Sequence, residues 1–286
     1  MKKAIQNISV IGAGTMGMGI AHVAALAGYN TVLFDINAEQ VGRAMEGINK
    51  NLAKGVARSK VSAEDRDAAL KRLRASTQFA EAVADAELVI EAAPEQLELK
   101  QKILRDVCEN TQKQCLFATN TSSLSISRIA EAAPTRAERV IGAHFFNPVH
   151  IMPLLEIVQG DRTSDESVAL LRSVGERMGK EMIVVRDAPG FATSRLGLVI
   201  GLEAMRMFEQ KVACAEDIDR AMELGYRHPM GPLKLTDLVG LDVRLHIAEH
   251  LHRELGEVFA PPQVLRDMVA EGKLGKKSGQ GFYRWE

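Results

Sequence analysis

The chain has 286 residues, 46% hydrophobic and 26% charged, as expected for a globular protein of one large domain or two modest ones. Its 36 basic residues balance 37 acidic residues, so it carries no basic footprint, and a nucleic-acid partner is disfavoured. The three cysteines form no C-x-x-C spacing. A disulfide framework or zinc knuckle is therefore disfavoured, and reduced thiols in the cytoplasm are expected.

The N-terminal segment has the hydropathy of a signal peptide or a membrane span, because no charged residue lies between Lys3 and Asp35. Glycines at positions 12, 14, 17 and 19 weaken an isolated helix there. The segment also divides into a strand-like part, residues 5–11, and a helix-like part, residues 16–26. We therefore expect a buried part of a globular domain and no membrane partner.

Short apolar runs alternate with helical patterns through the first part of the chain. Strands are predicted at residues 8–11, 31–34, 88–91, 116–119, 140–143, 154–158 and 182–185, and helices at 15–27, 39–74 and 95–108. This alternation predicts an α/β fold, with a mostly parallel, Rossmann-like sheet between helices. Beyond Pro189 only helices are predicted, at 191–210, 215–224, 242–255 and 262–271. The chain is thus predicted to form a sheet domain, residues 1–187, and an all-helical domain, residues 188–286.

A glycine-rich turn follows the first predicted strand. Gly12, Gly14 and Gly17 satisfy G-x-G-x-x-G between a strand and a helix, and Asp35 ends the second strand. The glycines allow a tight turn, close approach of a pyrophosphate and close packing of the helix on the strand. The carboxylate can accept hydrogen bonds from a ribose and would repel a 2′-phosphate, which favours NAD. The alternative is a glycine-rich turn with a solvent-facing Asp. The cofactor residues predicted here are Gly12, Gly14, Thr15, Met16, Gly17 and Asp35.

Polar residues also end two later strands. Asn120-Thr121-Ser122-Ser123 follows the strand at 116–119, and His144-Phe145-Phe146-Asn147-Pro148 follows the strand at 140–143. Open α/β sheets bind ligands at the carboxyl ends of their parallel strands. Glu156 lies inside the apolar strand at 154–158, where a carboxylate is costly without a partner, and His144 is the nearest plausible one.

Together these motifs resemble the L-3-hydroxyacyl-CoA dehydrogenase family, which includes the short-chain 3-hydroxybutyryl-CoA dehydrogenases. The resemblance covers nearly the whole chain, because further motifs follow in family order. They are Glu91-Ala92-Ala93-Pro94-Glu95 with Lys100, Pro189-Gly190-Phe191, Pro229-Met230-Gly231-Pro232 and Gly275-Lys276-Lys277-Ser278-Gly279-Gln280-Gly281-Phe282-Tyr283. The resemblance implies NAD-dependent interconversion of an (S)-3-hydroxyacyl-CoA and a 3-oxoacyl-CoA in fatty-acid or related acyl-CoA metabolism. It also implies a homodimer, in keeping with the apolar runs at 196–207 and 233–245.

The resemblance assigns roles to individual residues. His144 would be the base that takes the proton of the 3-hydroxyl group, a task that suits a neutral imidazole. Glu156 would orient that imidazole, and Ser122 would contact the substrate oxygen beside the nicotinamide. Ser194 stands where the family has an asparagine that helps hold the thioester, and its side chain is shorter. The other cofactor residues implied are Glu95, Lys100, Asn120, Asn147 and Lys277. Lys54 and Arg58 could bind the phosphates of CoA, or they could equally belong to a solvent-exposed helix face.

Three other functions are weighed against this one. A related hydroxy-acid or sugar-acid dehydrogenase is disfavoured because those relatives lack the His-Phe-Phe-Asn-Pro run. A zinc hydrolase would use His246, Glu249 and His250, which match H-x-x-E-H, but no third ligand stands out and a surface helix is the better interpretation. A non-catalytic NAD-binding protein would not need the paired His144 and Glu156. No metal is expected.

Overall fold

The computed structural model describes residues 5–286 and forms two compact units, the first ending at Asp187 and the second comprising Ala188–Glu286. Each unit has its own hydrophobic core. In the first unit the strands are β1 (Asn7–Ile11), β2 (Asn30–Phe34), β3 (Leu73–Ser76), β4 (Leu88–Glu91), β5 (Leu116–Thr119), β6 (Val140–Phe145), β7 (Leu154–Gln159) and β8 (Glu181–Arg186). Its helices are α1 (Thr15–Leu26), α2 (Ala38–Ala57), α3 (Ala63–Arg72), α4 (Phe79–Val83), α5 (Leu97–Asn110), α6 (Ile126–Ala130) and α7 (Asp165–Arg177).

The strands form one sheet in the order β3-β2-β1-β4-β5-β6-β7-β8. Every neighbouring pair is parallel except β6 and β7, which are antiparallel. The predicted Rossmann-like, mostly parallel sheet is confirmed. The central strands are almost wholly buried because helices cover both faces, which is why they read as continuous apolar runs. The strand order reverses between β1 and β4, the place where such sheets bind ligands.

The segment between β2 and β4 differs from its prediction. One helical stretch was predicted over 39–74, but the chain forms α2, a turn and α3, followed by the edge strand β3, which pairs with β2. The turn contains Ser59 with φ of 54°, and Ser62 caps α3 by accepting a hydrogen bond from the Asp65 backbone N–H. A serine cap inside a charged helical pattern is a weak signal, and β3 carries no apolar run. The missed strand lies at the sheet edge, where little of it is buried.

The second unit consists of the helices α8 (Thr193–Glu209), α9 (Ala215–Gly225), α10 (Pro232–Val239), α11 (Leu241–Leu255) and α12 (Gln263–Ala270). Its core includes Leu198, Leu202 and Leu251. The apolar run at 233–245 is divided between α10 and α11 by Gly240, whose φ of 103° no other residue adopts easily. α7 and α10 were both missed by the sequence patterns. In residues 5–286, no helix is long and apolar enough to cross a membrane.

The C-terminal tail is held by one buried carboxylate. Asp237 is 1% exposed and accepts hydrogen bonds from the backbone N–H groups of Phe282 and Tyr283 and from Nε1 of Trp285. A side chain on Gly281 would collide with this carboxylate, because its Cβ would lie 2.1 Å from Asp237 Oδ1. The glycine-rich tail motif therefore fixes the tail to α10.

Candidate active site

The turn after β1 has the shape that its glycines predict. Gly12 has a φ of 100°, and a Cβ at this residue would lie 2.7 Å from the carbonyl oxygen of Ala92. A Cβ on Gly17 would lie 1.7 Å from the carbonyl oxygen of Gly12, so α1 packs against the turn too closely for any side chain at this position. A Cβ on Gly14 would meet nothing within 4 Å. The open side of the turn therefore leaves room for a ligand beside the first N–H groups of α1, which no side chain caps.

Asp35 follows β2 and is tied to this turn. Its Oδ2 accepts a hydrogen bond of 2.8 Å from the backbone N–H of Ala13, and its Oδ1 accepts one of 3.0 Å from Asn37. Gln40 supports the same turn by donating to the Ala13 carbonyl oxygen. The carboxylate therefore fixes the glycine-rich turn and places a negative charge beside it.

His144 and Glu156 lie directly opposite each other on β6 and β7. The Nδ1 atom of His144 is 2.9 Å from Oε2 of Glu156. The histidine is 8% exposed and the glutamate is completely buried. Cross-strand neighbours on one face are close enough to bond, so the antiparallel register of these two strands creates the pair. A contact through Nδ1 fixes the orientation of the ring and therefore the position of its other nitrogen, Nε2.

A second buried ion pair lies at the end of β4. Glu91 and Lys100 are both completely buried, and Nζ of Lys100 is 2.8 Å from Oε1 of Glu91. Glu91 also accepts hydrogen bonds from the Ala93 backbone N–H and the Thr119 hydroxyl. Burial raises the pKa of the Glu91 carboxyl above its usual value, while the Lys100 ammonium and the hydrogen bonds oppose that shift. Lys100 has no exposed surface and lies behind Glu95, with 3.5 Å between Nζ and Oε2. Its contact with the cofactor stays a prediction.

Glu95 holds the turn that carries Ser122. Its Oε1 accepts hydrogen bonds from the Thr121 hydroxyl at 2.5 Å, from the Ser122 backbone N–H at 3.1 Å and from the Ser123 hydroxyl at 3.1 Å. Burial raises the pKa of the Glu95 carboxyl, but the Lys100 ammonium and these hydrogen bonds outweigh it and keep the pKa below its usual value. Glu95 is thus ionised and positions Ser122, which is exposed.

The remaining residues at this sheet edge are arranged around the ends of β5 and β6. The Oδ1 atom of Asn120 accepts a hydrogen bond of 3.0 Å from the Phe145 backbone N–H, which joins the two strand ends. Asn147 is exposed, and a cis peptide bond joins it to Pro148. The ring of Phe146 lies 4.5 Å from the His144 ring, measured between centroids. The turns after β1, β4, β5 and β6 therefore meet at one edge of the sheet.

Lys54 and Arg58 lie at the C-terminal end of α2 and line a cavity of about 750 Å³. Lys60 and Lys180 line the same cavity, so its walls carry several positive charges. His22 also lines it, stacked on His150 with 5.2 Å between ring centroids. Burial, with smaller contributions from His150 and Lys180, lowers the pKa of His22 to about 4.

The other predicted residues belong to the helical unit. Ser194 lies in the first turn of α8 and is half-buried. Lys277 forms an ion pair with Asp242, with 2.5 Å between Nζ and Oδ1. Glu249 of the H-x-x-E-H match is bound by Arg266 at 2.7 Å. In residues 5–286, no three or more His, Cys, Asp or Glu side chains come together as a metal site.

Comparison with known proteins agrees with this geometry. The family model for the 3-hydroxyacyl-CoA dehydrogenase NAD-binding domain matches residues 7–188, and the model for the C-terminal domain of the same family matches residues 190–285. The chain is 42% identical to 3-hydroxybutyryl-CoA dehydrogenase of Bradyrhizobium diazoefficiens, over 99% of this chain and 96% of that one. It is 38% identical to mitochondrial hydroxyacyl-coenzyme A dehydrogenase of Homo sapiens, over 100% of this chain and 93% of that one.

Solved structures show the same relationship. The crystal structure of (S)-3-hydroxybutyryl-CoA dehydrogenase from Ralstonia eutropha superposes with a TM-score of 0.95 at 37% identity, covering 99% of this chain and 100% of that one. A diketoreductase structure superposes with a TM-score of 0.86 at 30% identity, covering 99% of this chain and 100% of that one. The chain belongs to the 3-hydroxyacyl-CoA dehydrogenase family and is an NAD-dependent oxidoreductase.

Proposed function

We propose that this enzyme interconverts (S)-3-hydroxybutyryl-CoA, or a similar short (S)-3-hydroxyacyl-CoA, and its 3-oxoacyl-CoA. The observation that carries this proposal is the pairing of His144 with the buried Glu156 at 2.9 Å. A buried carboxylate beside an imidazole fixes the orientation and the tautomer of the ring, so that its other nitrogen can take the proton of an alcohol.

The residues of this chain perform the proton chemistry and the positioning. Nε2 of His144 takes the proton of the 3-hydroxyl group, and Glu156 stabilises the imidazolium that forms. The Ser122 hydroxyl, placed by Glu95, donates to the substrate oxygen. Bound NAD supplies the hydride acceptor at C3 of the substrate. The residues proposed to hold NAD are Gly12, Gly14, Thr15, Met16, Gly17, Asp35, Glu95, Lys100, Asn120, Ser122, Asn147 and Lys277. In the reverse direction the imidazolium returns the proton to the 3-oxo group.

The CoA part of the substrate is proposed to bind along the cavity lined by Lys54 and Arg58. Support comes from the positive charge of that cavity and from its size, which suits a nucleotide-like ligand. Ser194 is proposed to hold the thioester end. Because its hydroxyl can both donate and accept, it can replace an asparagine either directly or through a water.

We also propose that the enzyme is a cytoplasmic homodimer of fatty-acid or related acyl-CoA metabolism.

 

Support for the dimer comes from the helical unit, where α8, α10 and α11 expose several large apolar side chains. These are Leu196, Leu235, Leu238, Val239 and Val243, which are 39–61% exposed. A symmetric partner that covers the same patch would bury them. Support for the cytoplasm comes from Cys108, Cys115 and Cys214, which are all free thiols.

The proposed function is tested by following NADH absorbance while the purified protein reduces acetoacetyl-CoA, with NADPH in a parallel assay. We expect rapid NADH oxidation, formation of the (S)-3-hydroxy product only, and at least about tenfold lower kcat/KM with NADPH. Light scattering at micromolar concentration is expected to give the mass of a dimer. If the protein consumes no NADH with any short 3-oxoacyl-CoA, the proposed function is wrong.

A further inference from the structure

Lys180, the residue before β8, is a buried cation that is bound by backbone carbonyl groups. It is 8% exposed, and burial lowers the pKa of its ammonium group because the charged form loses its water. Its Nζ donates a hydrogen bond to the carbonyl oxygen of Val149 and another, of 2.8 Å, to the carbonyl oxygen of Met152. Both acceptors belong to one turn, residues 148–152. Because hydrogen bonds must replace the lost water, the ammonium group and this turn fix each other in place.

The 148–152 turn connects the two strands that carry the candidate catalytic pair. It follows β6, in which His144 is the penultimate residue, and it precedes β7, which contains Glu156. The antiparallel register of these strands places the two residues opposite each other, and the connection between two strands helps to set their register. Lys180 therefore holds the connection of this strand pair from the neighbouring strand, β8, which pairs with β7.

The 148–152 turn also packs on α1, the helix that follows the glycine-rich turn. A Cβ on Gly19 would lie 2.8 Å from the Cβ of Val149, so the helix and the turn are in close contact here. One residue further along the turn, the ring of His150 is stacked on the ring of His22 of α1. The turn thus joins the strand of the proposed base to the helix whose first N–H groups lie beside the proposed cofactor site.

We propose that Lys180 is a positioning residue for the reaction, which holds the 148–152 turn and thereby fixes the two residues just before it. These are Phe146, whose ring lies 4.5 Å from the His144 ring, and Asn147, which is proposed to hold NAD. The inference rests on the proposed function, which assigns the proton transfer to His144. Without the ammonium group both carbonyl groups lose this donor, and the turn is free to shift relative to His144. A shift of about 1 Å in an active site can lower the rate by ~10²-fold.

The test replaces the ammonium group by an uncharged chain of similar length in Lys180→Met. The kcat for reduction of acetoacetyl-CoA by NADH is measured per folded site, and the sites are counted by fluorescence titration with NADH. We expect kcat to fall at least about tenfold while the KM for acetoacetyl-CoA changes by less than about threefold. Lys113→Met is the matched control, because Lys113 is exposed in the turn between α5 and β5, at the opposite edge of the sheet. It should keep the wild-type kcat.

A truncated substrate separates positioning from a direct contact with CoA. Lys180 also lines the cavity in which CoA is proposed to bind, so its loss could act on the substrate itself. The kcat/KM is therefore also measured with S-acetoacetyl-N-acetylcysteamine, a thioester that lacks the nucleotide of CoA. A positioning residue lowers kcat/KM by the same factor for both thioesters. If Lys180→Met only raises the KM for acetoacetyl-CoA and leaves the truncated thioester unaffected, Lys180 binds CoA and the inference is overturned.

A second variant, Lys180→Gln, keeps an N–H donor near the two carbonyl groups but has no charge and a shorter reach. Its kcat should lie between those of Lys180→Met and the wild type, and it decides the question if Lys180→Met does not fold. A wild-type kcat in a folded Lys180→Met or Lys180→Gln variant overturns the inference and leaves the proposed function intact. No turnover by the wild-type enzyme means instead that the proposed function has failed.

Discussion

Replacement of Lys100 by Met removes one half of a fully enclosed ion pair. Glu91 would then keep its hydrogen bonds from Ala93 and Thr119 but would lose the ammonium 2.8 Å from Oε1. Breaking such a buried pair costs about 3–5 kcal/mol of unfolding free energy, because an uncompensated charge remains inside the protein. The exposed pair between Lys102 and Asp106 on the same helix is 2.6 Å long and contributes only about 0.3–0.5 kcal/mol. Lys102→Met is therefore a matched control.

The loss of unfolding free energy in Lys100→Met should be larger at high pH than at low pH. The folded-state pKa of Glu91 is already raised by burial, and loss of Lys100 raises it further. A carboxyl group whose pKa is higher in the folded than in the unfolded state lowers the free energy of unfolding when it is ionised. This destabilisation decreases as the pH falls through the folded-state pKa, because the carboxyl group is then protonated. Urea unfolding at pH 8 and pH 5.5 should therefore show the larger loss at pH 8.

A double variant identifies the charge as the cause. Glu91→Gln combined with Lys100→Met removes both charges and should be more stable than Lys100→Met alone at pH 8. The KM for NADH should also rise in Lys100→Met. Glu95 loses the ammonium group that lowers its pKa, and Glu95 holds the turn at Ser122. A loss at pH 8 no larger than that of Lys102→Met would refute this account of the ion pair.

Three further predictions concern other parts of the first unit. Asp35→Ser should narrow the preference for NADH over NADPH to less than about tenfold in kcat/KM, since the charge that repels a 2′-phosphate is removed; an unchanged preference would contradict this role. Lys54→Ala with Arg58→Ala should raise the KM for acetoacetyl-CoA several-fold and leave that for NADH unchanged, and equal effects on both would exclude a CoA contact. The pKa of His22 is near 6.5 in the unfolded chain and about 4 in the folded chain. The free energy of unfolding should therefore fall by up to about 3 kcal/mol as the pH drops from 6.5 to 4. Urea unfolding of His22→Gln should lack this part of the pH dependence.

The sequence predicts the sheet well because its central strands are buried on both faces. β4 and β5 read as short apolar runs, and the polar motifs at their ends could be placed at one edge from strand direction alone. β3 could not be found, because an edge strand with one buried residue has no distinctive pattern. The turn before α3 was missed for a related reason, since it contains neither glycine nor proline.

The candidate site was predicted unevenly. A carboxylate inside an apolar strand is costly without a partner, and this cost predicted that Glu156 pairs with His144. The two side chains are in contact in the structure. The same argument applies to Glu91, which ends a fully buried strand, and it would have identified Lys100 as the buried partner of that carboxylate. The contacts of Glu95 with the turn at Ser122 join residues 27 positions apart, and local patterns contain no signal for them.

The central claim is that His144 moves the proton while Glu156 supports its charge. It is tested most directly by the kcat of His144→Gln for oxidation of (S)-3-hydroxybutyryl-CoA, with NADH affinity measured separately by fluorescence. We expect kcat to fall by about 10²–10⁴-fold with NADH affinity nearly unchanged, and the wild-type rate of oxidation to decline at low pH because a protonated imidazole accepts no proton. A variant that retains most of the wild-type kcat, with the same pH profile, would contradict the account.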